Sequence, residues 1–88
     1  MFDIKYTNKA YKQLKKIFKY APNNAELIVK GIESYALNQL GNHDIKILHG
    51  KYESFKRLRI GSYRVIFDNE DNVIFVYEIK HRKDAYND

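Results

Sequence analysis

The stretch FKRLRIGSYRVIF at 55–67 constrains this chain more than any other. Two runs of alternating apolar and basic residues flank Gly61-Ser62. A two-residue Gly-X loop is the pattern of a type II′ hairpin turn, whose first position needs a positive φ that glycine adopts without steric cost. Strands over 55–60 and 63–68 then pair in one register: Ile60 opposite Tyr63, Arg59 opposite Arg64, Leu58 opposite Val65 and Arg57 opposite Ile66. Side chains alternate along a strand, so Leu58, Ile60, Tyr63, Val65 and Phe67 share the face turned to the core. Arg57, Arg59, Arg64 and Ile66 share the other.

The rest of the chain supplies elements to cover the apolar face. Phe2, Ile4 and Tyr6 alternate with Asp3 and Lys5, the pattern of a short opening strand. Thr7 or Asn8 caps a helix with Leu14, Ile17, Phe18 and Ala21 at helical spacing, Ala10 or Tyr11 one turn earlier, and lysines on the opposite side. Pro22 and Asn23-Asn24 end it. A second helix over 25–39 presents Ile28, Ile32, Tyr35, Ala36 and Leu40, with Val29 at the margin and Gly31 weakening it. The short connector makes the two an antiparallel hairpin, and Gly41-Asn42 stops the second. Ile45, Ile47 and Leu48 anchor a loop or short strand before Gly50. A turn over 69–72 leads to a strand over 73–80, apolar on both faces apart from Glu78 and so expected inside the sheet. The predicted fold is α+β: a short N-terminal strand, an antiparallel helix hairpin, then antiparallel strands packed on the helices.

At 88 residues, the chain fits a single domain over 1–88. With no cysteine there is no disulfide framework, which favours a cytoplasmic setting. No apolar run approaches the roughly 20 residues of a membrane span, so no membrane partner is expected. Sixteen Lys and Arg against eleven Asp and Glu leave a charge of +5, which favours an anionic partner. Lys5, Lys9, Lys12, Lys15, Lys16 and Lys19 fall in a stretch without an acidic residue. All four arginines lie at 57, 59, 64 and 82.

Like charges opposed across an antiparallel pair are destabilising. A polyanion offsets that repulsion, since each guanidinium can donate two parallel hydrogen bonds to a phosphate. Arg57, Arg59 and Arg64 are therefore read as a nucleic-acid or phosphate site; the alternative is neutralisation by Glu53, Glu78 or the acidic turn Asp68, Glu70 and Asp71. The end of the last strand adds His81, Arg82, Lys83 and, four residues past Arg82, Tyr86. Rings beside cations are how exposed bases and their phosphates are commonly held together. His49 reads as a loop residue, and neither it nor His81 has metal-ligand spacing, so no metal or cofactor is expected.

The segments FKRLRIGSYRVIF at 55–67 and VYEIKHRKDAY at 76–86, with YKQLKKI at 11–17, resemble the RelE/ParE toxin superfamily, closer to its RelE branch. The resemblance covers essentially the whole chain. It implies a β-α-α-β-β-β fold with a basic groove, and a toxin that cleaves mRNA in the ribosomal A site and is neutralised by a RelB-like antitoxin. It places the family's basic pair on Arg57 and Arg59, with Lys56 as substitute, and its later functional residues on Arg64, Arg82 and Tyr86. His81 stays beside Tyr86 as the alternative acid or base, since other members use histidine and glutamate. Lys56, Lys80 and Lys83 would contact RNA. ParE-like relatives poison DNA gyrase instead, and an inactive antitoxin-binding module would keep the same groove.

Overall fold

The computed structural model describes residues 2–48 and 55–85. The opening alternation forms strand β1 (Asp3–Tyr6), with Asp3 and Lys5 exposed and Ile4 and Tyr6 turned inward. Helix α1 (Asn8–Tyr20) follows directly. Thr7 is its cap: the hydroxyl oxygen accepts from the Ala10 N–H (3.0 Å) and its proton is donated to the Tyr77 carbonyl (2.8 Å). One side chain thus satisfies an orphan helix donor and ties the helix start to the last strand. Ala10 is buried, with Leu14 and Ile17 packed against the core. Tyr11 and Phe18, expected on or near that face, are 55% and 46% exposed. At about 100° per residue they fall on the flank of a stripe centred on Ala10, Leu14 and Ile17.

Helix α2 (Pro22–Leu37) starts where the sequence predicted only a break. Pro22 is its first residue, because proline's missing N–H would be unsatisfied there anyway and its fixed φ suits a helix. Ala21 alone connects the helices. Ala25, Ile28, Ile32, Tyr35 and Ala36 are buried along α2. Leu40 is not part of that face and is 98% exposed. The helix ends at Leu37, and the Gln39 amide donates to the Tyr35 and Ala36 carbonyls (3.0 and 3.1 Å), which turns the chain away before Leu40. Gly31 has a role beyond lowering helix propensity: a Cβ there would lie 2.5 Å from Ile60 Cδ1, so its absence lets α2 close onto the sheet.

Strands β2 (Ile45–Ile47), β3 (Lys56–Ile60), β4 (Tyr63–Glu70) and β5 (Val73–His81) join β1 in a five-stranded sheet of order β1-β5-β4-β3-β2. β1 runs parallel to β5; the other pairs are antiparallel. The β3–β4 register matches the sequence expectation at every pair from Arg57 opposite Ile66 to Ile60 opposite Tyr63. Gly61 has φ +58°, as its turn requires. Asp71 and Asn72 both take positive φ (49° and 63°), the mark of a type I′ turn between β4 and β5. Opposite Ile66 and Phe67, β5 carries one extra residue, Tyr77, a bulge that shifts which side chains face the helices. Leu58, Val65, Phe67, Ile74, Val76 and Ile79 complete the core under α2. A four-residue helix α3 (Arg82–Ala85) follows β5.

Candidate nucleic-acid interface

Register and alternation fix what the face away from the helices carries. One row across the sheet reads Lys46, Arg57, Ile66, Glu78; the next reads Arg59, Arg64, Lys80. Three strands thus set three cationic side chains side by side. Arg82 enters from the chain end, because its backbone N–H donates to the Ser62 carbonyl (2.6 Å) and pins the start of α3 to the hairpin turn. Arg59, Arg64 and Arg82, with Gly61, Ser62 and Tyr63, line a cavity of about 220 Å³. A guanidinium-walled pocket of this kind suits a phosphate.

Arg57 does not belong to that pocket. Its Nη2 donates to Asp44 Oδ1 at 2.9 Å, and its side chain is only 14% exposed against 53% for Asp44. Its Nε is buried and makes no hydrogen bond among the described residues. Pairing of β2 with β3 brings Asp44 to this position, and the Asp44 carbonyl accepts from the Arg59 N–H (3.0 Å) as well. The guanidinium of Arg57 therefore serves the sheet edge, with an acidic partner that the sequence did not single out.

The other anticipated residues are divided. Lys56 pairs with Ile47 and Phe67 and shares the core-facing side with Leu58, so it cannot stand in for Arg57. Lys80 lies on the arginine face and reaches Glu78 at 3.8 Å. Lys83 is exposed in α3. His81 sits opposite Tyr63 on the side of the helices, ring centroids 5.1 Å apart and edge to face. It lines a separate groove with Gln13, Ile17 and Ile79. Its Nδ1 accepts from the Lys83 N–H (3.2 Å), which leaves Nε2 to carry the proton in the neutral ring. Tyr86, His49 and Glu53 lie outside the described residues.

Of the acidic groups suggested as neutralising partners, Glu78 lies on the arginine face, in the row next to Arg59, Arg64 and Lys80, whereas the described acids of the β4–β5 end lie farther off. Asp68 and Glu70 lie toward the β4–β5 turn, the opposite end of β4 from Arg64. At about 3.3 Å per residue, Asp68 is some 13 Å along the strand. Glu78 receives Lys9 at 3.1 Å in addition to Lys80. Ser62 and Tyr63 complete the pocket wall; their position in the turn was legible, but not that Arg82 would fold back onto it. Among the described residues no helix is long and apolar enough to cross a membrane.

Comparison with known proteins agrees with this architecture. Residues 4–86 match the family model described as the ParE toxin of type II toxin-antitoxin systems. The chain belongs to that toxin family, within the RelE/ParE superfamily. Among solved structures it is similar to YoeB in the YoeB-YefM toxin-antitoxin complex of Staphylococcus aureus: 18% identity, TM-score 0.77, covering 92% of this chain and 97% of that one. It is likewise similar to a chain of the RelBE2 toxin-antitoxin complex of Mycobacterium tuberculosis, at 19% identity and TM-score 0.76, covering 92% and 98%. For the RelB-RelE complex of Methanococcus jannaschii the values are 23% and 0.70, covering 94% and 95%. No curated protein matches by sequence.

Proposed function

We propose that this toxin is an endoribonuclease that cleaves mRNA in the ribosomal A site, without a metal, in the cytoplasm. The observation that carries the reading is the pocket walled by Arg59, Arg64 and Arg82. A 2′-hydroxyl attacks the adjacent phosphorus while a base takes its proton. The P–O5′ bond breaks, the departing 5′-oxygen is protonated, and a 2′,3′-cyclic phosphate and a free 5′-hydroxyl result. Negative charge grows on the phosphoryl oxygens at the five-coordinate stage, and fixed guanidinium groups stabilise it there more than in the ground state. Arg64 and Arg59 supply this field, and Arg82 stabilises the leaving oxygen. Arg57 supports the sheet edge beside them.

Tyr86 is the proposed base. An unperturbed phenol, near pKa 10, is weak at neutral pH, and a positive charge brought close to a phenol favours phenolate. Positioning of the mRNA by the ribosome supplies what the weak base does not. His81 is the rival, imidazole being the commonest general acid or base, but it is placed on the opposite face of the sheet from Arg59 and Arg64. Cleavage on translating ribosomes by Tyr86→Phe and His81→Ala variants separates them: the first should lose activity and the second keep most of it, and the reverse would move the role to His81.

The proposed partner off the ribosome is a RelB-like antitoxin with an acidic, amphipathic segment that folds over the basic groove or the helix pair. Exposed Tyr11 and Phe18 offer it apolar anchors on α1. A second reading, inhibition of DNA gyrase, is favoured by the ParE description of the matching family model. Assays of gyrase supercoiling and of translation with the same preparation discriminate: arrest of translation with supercoiling intact supports the ribonuclease, and the opposite pattern supports the gyrase inhibitor.

A further inference from the structure

Strand alternation puts an acid among the arginines. The Asp44 carbonyl accepts from the Arg59 N–H (3.0 Å), which extends the β2–β3 register by one pair and sends the Asp44 side chain to the arginine face, opposite Arg59. Its Oδ1 accepts from Nη2 of Arg57, the diagonal neighbour, at 2.9 Å. Arg59 stays exposed and lines the cavity with Arg64 and Arg82. Arg57 is drawn down to 14% exposure, with its Nε unbonded among the described residues. The acid is also held from behind. The ring of His43, the preceding residue, hydrogen-bonds through Nε2 to the Asn38 carbonyl at the end of α2 (2.7 Å) and meets the Tyr35 ring edge to face, centroids 5.3 Å apart. Main chain on one side and ring on the other fix where Asp44 stands.

We infer that Asp44 is a positioning residue that withholds Arg57 from the RNA, so that the toxin meets a strand with one phosphate contact fewer than its arginines could make. The inference rests on the reading of the arginine face as the RNA site. Arg57 and Arg59 leave β3 on the same side, about 6.6 Å apart along the strand, so a guanidinium released from Asp44 can reach a phosphate next to the one held in the pocket. Packing alone would not select the present arrangement, since a buried donor without an acceptor is destabilising and Arg57 Nε is such a donor. Attraction to the carboxylate keeps the guanidinium down. Without it, a desolvated charge has no partner and moves out to water or phosphate. A weaker hold on free strands fits a toxin whose message is positioned by the ribosome.

The test is a double-mutant cycle of Asp44→Ala and Arg57→Gln, read as binding of a short oligouridylate at about 150 mM salt, where exposed charges more than about 8 Å apart are largely screened. Asp44→Ala should tighten binding about tenfold, as expected of one added charge-assisted contact, and steepen the fall of log affinity with log salt by about 0.7. In the Arg57→Gln background the same change should do neither. Equal gains in both backgrounds would assign the effect to net charge and overturn the inference, as would no gain in either. Thermal unfolding of each variant checks the fold. Should Asp44→Ala unfold, the wild-type chain still decides. In nuclear magnetic resonance spectra its Arg57 Nε–H signal, assigned by its loss in Arg57→Gln, should hold its position as the RNA is added; a shift as large as that of Arg59 would overturn the inference. Binding alone is read, so a failure of the ribonuclease reading is seen separately, in the mapping of mRNA ends.

Discussion

At the scale of single residues, three arginines of one hairpin carry opposite expectations. Arg59 and Arg64 face each other across β3 and β4, and like charges so placed cost up to about 1 kcal/mol. Arg64→Ala should weaken RNA binding severalfold, with a smaller effect on stability than on affinity. Arg57→Ala should do the reverse: it removes a mostly buried stem and its bond to Asp44, lowering stability by about 1 to 3 kcal/mol with little change in RNA affinity. Urea unfolding and RNA titration of both variants check the pair of signs. The arginine face itself was legible from alternation alone, because the period of a strand is two and the turn fixed the register. The partner of Arg57 was not, since Asp44 reaches it only through pairing of β2, whose three residues carry too little pattern to be read as a strand with a register.

Elements meet where side chains are missing as much as where they are present. In α2, alanine in place of Gly31 would gain about 1 kcal/mol of helix propensity, but its methyl would collide with Ile60. Gly31→Ala should therefore lower the melting temperature in the wild-type background and raise it in an Ile60→Ala background; the same sign in both would show that α2 does not close on β3 as described. Helix existence and most core positions could be read from the 3.6-residue period. The boundary at Pro22 could not, because the same residue that ends a helix also starts one well, and only the tertiary path decides between them. Phe18 and Leu40 were misplaced for a related reason: apolar character places a residue near a face, while helix length and rotation decide whether it is covered.

For the whole molecule, the tyrosines give stability a pH limit. Burial raises the phenol pKa of Tyr6, with the nearby Glu33 charge adding to the effect, and burial likewise raises that of Tyr35, opposed in part by a hydrogen bond from Asn69. A phenol whose folded pKa exceeds its unfolded one contributes full stability below about pH 10, and that contribution is lost as pH rises through the folded value. Unfolding free energy should be flat near neutrality from this source and fall above about pH 10, less steeply in Tyr35→Phe. A variant falling as steeply as wild type would remove Tyr35 as a contributor.

The same whole-molecule arrangement brings Arg82 to Arg59 and Arg64 by a bond from the chain end to the hairpin turn. The most direct test of that pocket is mapping mRNA ends after brief expression of the wild-type protein and of Arg64→Ala at matched levels. Cuts within codons at the ribosomal A site that vanish in Arg64→Ala are expected. Cuts that persist unchanged in the variant, or their absence with wild type while translation still stops, would contradict a phosphate-holding arginine pocket as the seat of the toxin's action.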